Sequence, residues 1–130
     1  MRNEADTCRE LITPGLVAAG WYAEPHSITE QRTFTDGRVV PVGSRSRRRP
    51  GKRADYILRY TRDFPIAVVE AKAEDCLPGD GLQQAKDYAE TLGLRFAYAT
   101  NGTDIIEFDY AAGTEREFAA FPTPDDLWSR

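Results

Sequence analysis

A chain of 130 residues, 41% hydrophobic and 29% charged, has the size and balance of one soluble globular domain, which excludes a disordered polyelectrolyte. No apolar run approaches the roughly 20 residues of a membrane span, and Met1-Arg2-Asn3-Glu4-Ala5-Asp6 places carboxylates where a signal sequence needs an apolar stretch, so a cytoplasmic setting without membrane contact is expected. The formal net charge of -4 hides an asymmetry, because Arg45, Arg47, Arg48, Arg49, Lys52 and Arg53 carry +6 with no acid among them, leaving 11 basic against 21 acidic residues elsewhere.

Asn3 is placed to cap a helix starting at Glu4, and Ala5, Cys8, Leu11, Ile12, Leu16 and Ala19 then recur at helical spacing. Pro14 has no N–H to give, so it either kinks this helix or restarts it after Thr13, and Gly20 closes it. Across residues 28–42 the Thr33, Phe34 and Asp36-Gly37 pattern predicts a hairpin with Arg38-Val39-Val40 as the return strand. A basic loop comes next, at residues 43–53. On an acidic body such a loop can hold a polyanion locally; the blander alternative is a solvated charge run.

Residues 54–60 read as a strand and residues 66–72 as a more buried one, with 61–65 short enough to be a hairpin connection. Residues 79–92 fit a helix with Leu82, Ala85, Ala89 and Leu92 toward the core and Gly93 at its end. Residues 94–100 form a third core strand, Asn101-Gly102 a turn, and residues 105–110 a further strand turning back through Gly113. This order predicts an α/β fold, a mixed sheet carrying helices. In the tail, Pro122 and Pro124 favour an extended path, so residues 121–130 are expected to form a connector after a domain at 1–120.

Chemistry in this chain has to rest on carboxylates and lysine. Cys8 and Cys76 have no CxxC or Cys/His spacing, and His26, the one histidine, sits in a turn-like segment. Strand residues two apart share a face, so Glu70 and Lys72 project together. The segment around them is apolar, and burying both charges is costly unless they pair or bind an ion; a plain surface Glu/Lys pair is the alternative. Asp55 comes across from Glu70 if the two strands form an antiparallel hairpin. Two carboxylates in reach of each other suit Mg²⁺, which takes one or two carboxylates plus waters and phosphate oxygens, with the Ala71 carbonyl as a further ligand. Lys72 is then placed to orient the attacking water or to stabilise charge on the phosphate. Gln84 and Tyr88 stand four apart on the next helix, on one face.

Asp55, then Glu70-Ala71-Lys72, then Gln84-Ala85-Lys86-Asp87-Tyr88 resemble the motifs of the PD-(D/E)xK nuclease superfamily, in its branch with a Q-x-x-x-Y helix. Closer still, Glu4-Ala5-Asp6-Thr7 through Pro14 to Ala19-Gly20-Trp21, Ala54-Asp55-Tyr56, Val69 to Lys72, Gly81 to Ala89 and Phe96 to Gly102 resemble the N-terminal domain of type I restriction enzyme R (HsdR) subunits, over nearly the whole chain. The resemblance implies a restriction-endonuclease-like core and a Mg²⁺-dependent endonuclease acting on double-stranded DNA. It also implies a downstream ATP-driven motor in the same subunit, together with modification and specificity subunits. Asp55 and Glu70 are then metal ligands, Lys72 the catalytic lysine, and Gln84 and Tyr88 the helix pair near the DNA backbone. Glu4 matches the early-helix glutamate of this branch, with Glu10 as competitor. The chain departs from the pattern at Cys8, where a polar residue is usual, and in the arginine-rich loop. Gly51-Lys52-Arg53 lacks the GxxxxGK[ST] spacing of a phosphate loop, so any ATP requirement belongs to the motor. Two other readings stay open: a non-catalytic DNA-binding or assembly module of the same fold, and a nuclease of another repair or defence system.

Overall fold

The computed structural model describes residues 4–35, 38–40, 52–73 and 76–129. The chain opens with helix α1, Glu4–Thr7, passes through a π-helical turn at Cys8–Ile12 and continues as α2, Thr13–Ala19. Pro14 thus lies where the helix restarts after the π-helical turn. The Thr13 N–H reaches back five residues to the Cys8 carbonyl, and Pro14 falls in the first turn of α2, where a missing donor leaves no helical bond unmade.

Seven strands make one sheet: β1 (Ser27–Thr35), β2 (Arg38–Val40), β3 (Lys52–Thr61), β4 (Phe64–Ala71), β5 (Phe96–Thr100), β6 (Ile105–Asp109) and β7 (Thr114–Phe118), in the order β2-β1-β3-β4-β5-β6-β7. The β4/β5 ladder is parallel and the others are antiparallel. A parallel pair needs a crossover, which a 3-10 turn at Pro78–Gly81 and helix α3, Leu82–Leu92, supply. The sheet is therefore mixed and carries helices, as expected. Some boundaries differ, and one strand is added. Lys52 and Arg53 belong to β3, opposite Phe34 and Thr33, so the basic segment is partly strand. The β3/β4 hairpin is tighter than residues 61–65 allow, with Thr61 paired to Phe64. Strand β7 adds an element that the residue pattern does not predict.

Alternation along the strands sorts side chains into two cores. Tyr56, Leu58, Val69, Ala71 and Tyr98 meet Cys8, Ile12 and Leu16 of the N-terminal helices on one face. On the other, Ile57, Val68 and Ala97 meet Ala85, Tyr88 and Ala89 of α3. The tail is extended at Thr123 and helical from Pro124 on. Phe121 and Leu127 enter the first core, Thr123 caps a short helix α4, Pro124–Trp128, and the Trp128 ring stacks on Tyr60 at 4.2 Å. Among the described residues no helix is long and apolar enough to cross a membrane.

Candidate active site

The antiparallel register of β3 and β4 pairs Tyr56 with Val69, and one step further it brings Asp55 level with Glu70. By alternation Asp55 shares the face of Ile57 and Glu70 that of Val68, so both carboxylates lie on the α3 side of the sheet. Each is only 5% exposed. Asp55 Oδ2 accepts the Ala71 backbone N–H at 2.8 Å, a side chain standing in where a ladder bond would otherwise run. Lys72 leaves the end of β4 with its backbone N–H donated to the Thr100 carbonyl at 2.9 Å, and its Nζ donates to Gln84 Oε1 at 3.2 Å. Gln84 sits on the exposed side of α3. One turn on, Tyr88 is buried in the second core, where it packs the helix onto the sheet beneath Gln84.

Gly81, quoted above only as part of a motif block, ends the 3-10 turn before α3. A Cβ there would stand 2.9 Å from Glu70 Cγ and 3.2 Å from Lys72 Cε. The backbone therefore presses directly on the stems of both charged side chains. The Gly79-x-Gly81 spacing before a helix was the available signal of such a close approach.

The donor set bears on which ion would fit. Among the described residues no three His, Cys, Asp or Glu side chains converge, so the hard-oxygen groups gathered here are the Asp55 and Glu70 carboxylates. Taking two acids out of water costs several kcal/mol per ion unless a cation offsets it. Two carboxylates beside a solvent-facing edge suit Mg²⁺, whose remaining positions go to waters and phosphate oxygens, better than they suit the all-protein cages of structural zinc or calcium.

The other residues singled out from the sequence are placed as follows. The side chain of Glu4 lies outside the described residues, although its backbone starts α1; Thr7, on the same helix, is buried against Gly102. Glu10 is exposed and accepts from Arg9 at 3.4 Å. Arg45, Arg47, Arg48 and Arg49 lie outside the described residues, as do the side chains of Lys52 and Arg53. His26 packs between the Trp21 and Tyr60 rings with Nδ1 bonded to the Tyr60 carbonyl, a structural role away from the carboxylates. A separate groove of about 350 Å³, lined mainly by apolar residues such as Leu11, Ile105 and Phe121, contains none of Asp55, Glu70 or Lys72.

Comparison with known proteins adds a second line. Residues 38–122 match the family model described as type I restriction enzyme R protein N terminus. Over 134 aligned residues the chain is 35% identical to the type I restriction enzyme EcoAI endonuclease subunit of Escherichia coli, covering 98% of this chain and 16% of that protein. A solved fragment of a protein described as an HsdR subunit of a type I restriction enzyme, from Vibrio vulnificus YJ016, is 62% identical with a TM-score of 0.86, covering 98% of this chain and 25% of that one. The chain thus spans a small part of the length of the relatives it matches.

Proposed function

The chain belongs to the family of type I restriction enzyme R protein N termini, and from that membership we propose that Asp55, Glu70 and Lys72 form the centre of a PD-(D/E)xK endonuclease that hydrolyses phosphodiester bonds of duplex DNA. The observation that carries this reading is that the β3/β4 register, carried one step beyond Tyr56 and Val69, sets two 5%-exposed carboxylates level on adjacent strands, with a lysine two residues on, itself held by Gln84. An inert module of the same fold has no physical need to bury that combination.

Asp55 and Glu70 would hold Mg²⁺. A strand residue directs its N–H and C=O to one edge, so the Ala71 carbonyl faces the β3 side where Asp55 already meets its N–H, and it is the third oxygen of the set. When bound, the ion polarises the scissile phosphate and lowers the pKa of a bound water. The Lys72 ammonium, steered by Gln84 Oε1, orients the attacking water or stabilises negative charge building on the phosphate. Gln84 also carries amide N–H groups suited to a phosphate oxygen. Tyr88 sets the height of Gln84 by anchoring α3. The early-helix acid of the family pattern is Glu4 or Glu10, and Glu10 is engaged with Arg9 on an exposed side. Arg45, Arg47, Arg48, Arg49, Lys52 and Arg53 supply sequence-independent phosphate contacts.

In this reading the domain works within a longer R subunit in the cytoplasm. An ATP-driven motor downstream delivers DNA, and modification and specificity subunits complete the complex. Calorimetric titration of Mg²⁺ into the chain, with a short duplex present to supply phosphate ligands, tests the centre. Wild type should bind and Asp55→Asn should not. No binding to wild type would shift the assignment to a non-catalytic DNA-binding or assembly module.

A further inference from the structure

We propose that Asn101 is a positioning residue for this centre: its side-chain amide ties the Cys76 carbonyl to the end of β5, and so fixes where the chain leaving Lys72 turns back toward α3. The inference rests on the nuclease reading of Asp55, Glu70 and Lys72.

From sequence, Asn101-Gly102 is a turn and nothing more. A turn needs only the side-chain oxygen, and Asn101 Oδ1 does accept the Thr103 and Asp104 N–H groups, each at 3.0 Å. The amide nitrogen does something the turn does not require. Nδ2 donates to the Cys76 carbonyl at 2.8 Å, across 25 residues of chain. The orientation of the amide is fixed by chemistry, because flipping it would aim NH₂ at two N–H donors and oxygen at a carbonyl. With Asn101 8% exposed, the bond sits in a setting where a lost partner is felt.

Thr100 and Asn101 therefore grip one strand-to-helix connection at two points. The Thr100 carbonyl takes the Lys72 N–H at 2.9 Å, and Asn101 takes Cys76 four residues later. Beyond Cys76 the backbone must return closely enough for Gly81 to touch the stems of Glu70 and Lys72 and for Gln84 to meet Lys72 Nζ. The turn is also backed from outside. At Gly102, with φ +92°, a Cβ would come within 2.7 Å of both Thr7 and Leu11, so the N-terminal helix abuts the same turn and the anchor cannot drift.

The test uses the R subunit assembled with its modification and specificity subunits, cutting duplex DNA, with Asn101→Ser. A serine hydroxyl still serves the turn but is too short to reach Cys76. Cleavage kcat should fall by about tenfold or more, as small misplacements of reacting groups do, while KM for DNA and Mg²⁺ affinity stay within about twofold. Asn101→Asp, which keeps Oδ1 and loses the donor, should show the same split. Wild-type kcat in both variants overturns the inference. So does a kcat loss that Mg²⁺ affinity follows in proportion, since the bond then only stabilises the fold. Lys72→Ala, measured alongside, separates the two claims: if it cuts normally the nuclease reading has failed, and if it is inactive while both Asn101 variants cut normally, only the positioning role has.

Discussion

Asp55 on β3 accepts the backbone N–H of Ala71 on β4 at 2.8 Å, so the acid proposed to hold the metal also closes the ladder of the strand that carries Glu70 and Lys72. The two roles can be separated by substitution. Asp55→Ala removes both and leaves a buried N–H without its acceptor, which destabilises by roughly 1–3 kcal/mol. Asp55→Asn keeps an oxygen for that N–H but loses the charge. It should melt close to wild type, fail to bind Mg²⁺ by calorimetry and fail to cut. Normal Mg²⁺ binding by Asp55→Asn would remove Asp55 from the metal site.

Lys72 and Gln84 form a hierarchy, because the amide acts through the ammonium it accepts from. Lys72→Ala should lower cleavage by about 10²–10³-fold, the usual consequence of removing one group that stabilises developing charge, with Mg²⁺ binding retained. Gln84→Ala leaves the charge in place but unsteered, and its loss should be smaller. Cleavage rates in the assembled enzyme, with Mg²⁺ affinity measured on the same proteins, decide the order. A larger defect in Gln84→Ala than in Lys72→Ala would contradict it.

Gly81→Ala tests how tightly the centre is built. The backbone there has φ -96° and ψ 0°, a bridge conformation open to alanine, so the main effect comes from space. The new methyl would meet Glu70 Cγ at 2.9 Å and Lys72 Cε at 3.2 Å, and the Glu70 stem has to move. Mg²⁺ affinity should fall on the order of tenfold, as when groups supporting a metal ligand are disturbed, with little change in melting temperature. Unchanged affinity would mean that the Glu70 carboxylate does not bear on the ion.

How much of this was legible depends on where the physical signal lies. The period-2 alternation that puts Glu70 and Lys72 on one face is local, and the hairpin that brings Asp55 alongside is short, so both could be read from residues. Strand β7 could not. Thr114, Glu115, Arg116 and Glu117 are all exposed, so no apolar alternation marks them, and pairing with β6 alone makes the strand. Lys52 and Arg53 read as loop because charge dominates them, while their backbones continue the β1/β3 ladder. In the tail, the prolines pointed to an extended path, yet Pro124 begins α4 and the burial of Phe121 and Leu127 outweighs the local preference. The Asn101 bond to Cys76 and the pressure of Gly81 on Glu70 are long-range contacts, which no local pattern encodes.

Asp109 ties part of the fold's stability to pH through its ion pair with Arg95. Burial pushes its carboxyl up, but the Arg95 guanidinium and the Ala112 and Ala111 N–H groups outweigh that and hold it below the usual aspartate range. A carboxylate with a depressed pKa adds stability that is complete above its unfolded value, about 3.9, and is lost as pH falls through the lower folded value. Asp109→Asn should therefore be less stable than wild type by roughly 1.5–3 kcal/mol at neutral pH, the range for hydrogen bonds to a charged group. The gap should hold constant from neutrality to mild acid and close only below the ordinary aspartate pKa. Melting temperatures of both proteins across that range check this, and a gap that narrowed well above it would place the acid sensitivity elsewhere.

The basic segment decides whether affinity for DNA is built into this domain. Each phosphate neutralised by a lysine or arginine releases counterions and adds about 0.9 to the slope of log affinity against log salt. If Arg45, Arg47, Arg48, Arg49, Lys52 and Arg53 all contact phosphates, replacing them with serine should flatten that slope by up to about 5 and weaken binding equally for unrelated duplex sequences. Fluorescence anisotropy of duplexes of two different sequences at several salt concentrations measures both quantities. An unchanged slope would make the segment a solvated charge run, and the acidic remainder of the surface would then leave the capture of DNA to parts of the longer subunit. A flattened slope with one sequence affected more than the other would point instead to contacts with bases, which phosphate binding alone does not produce.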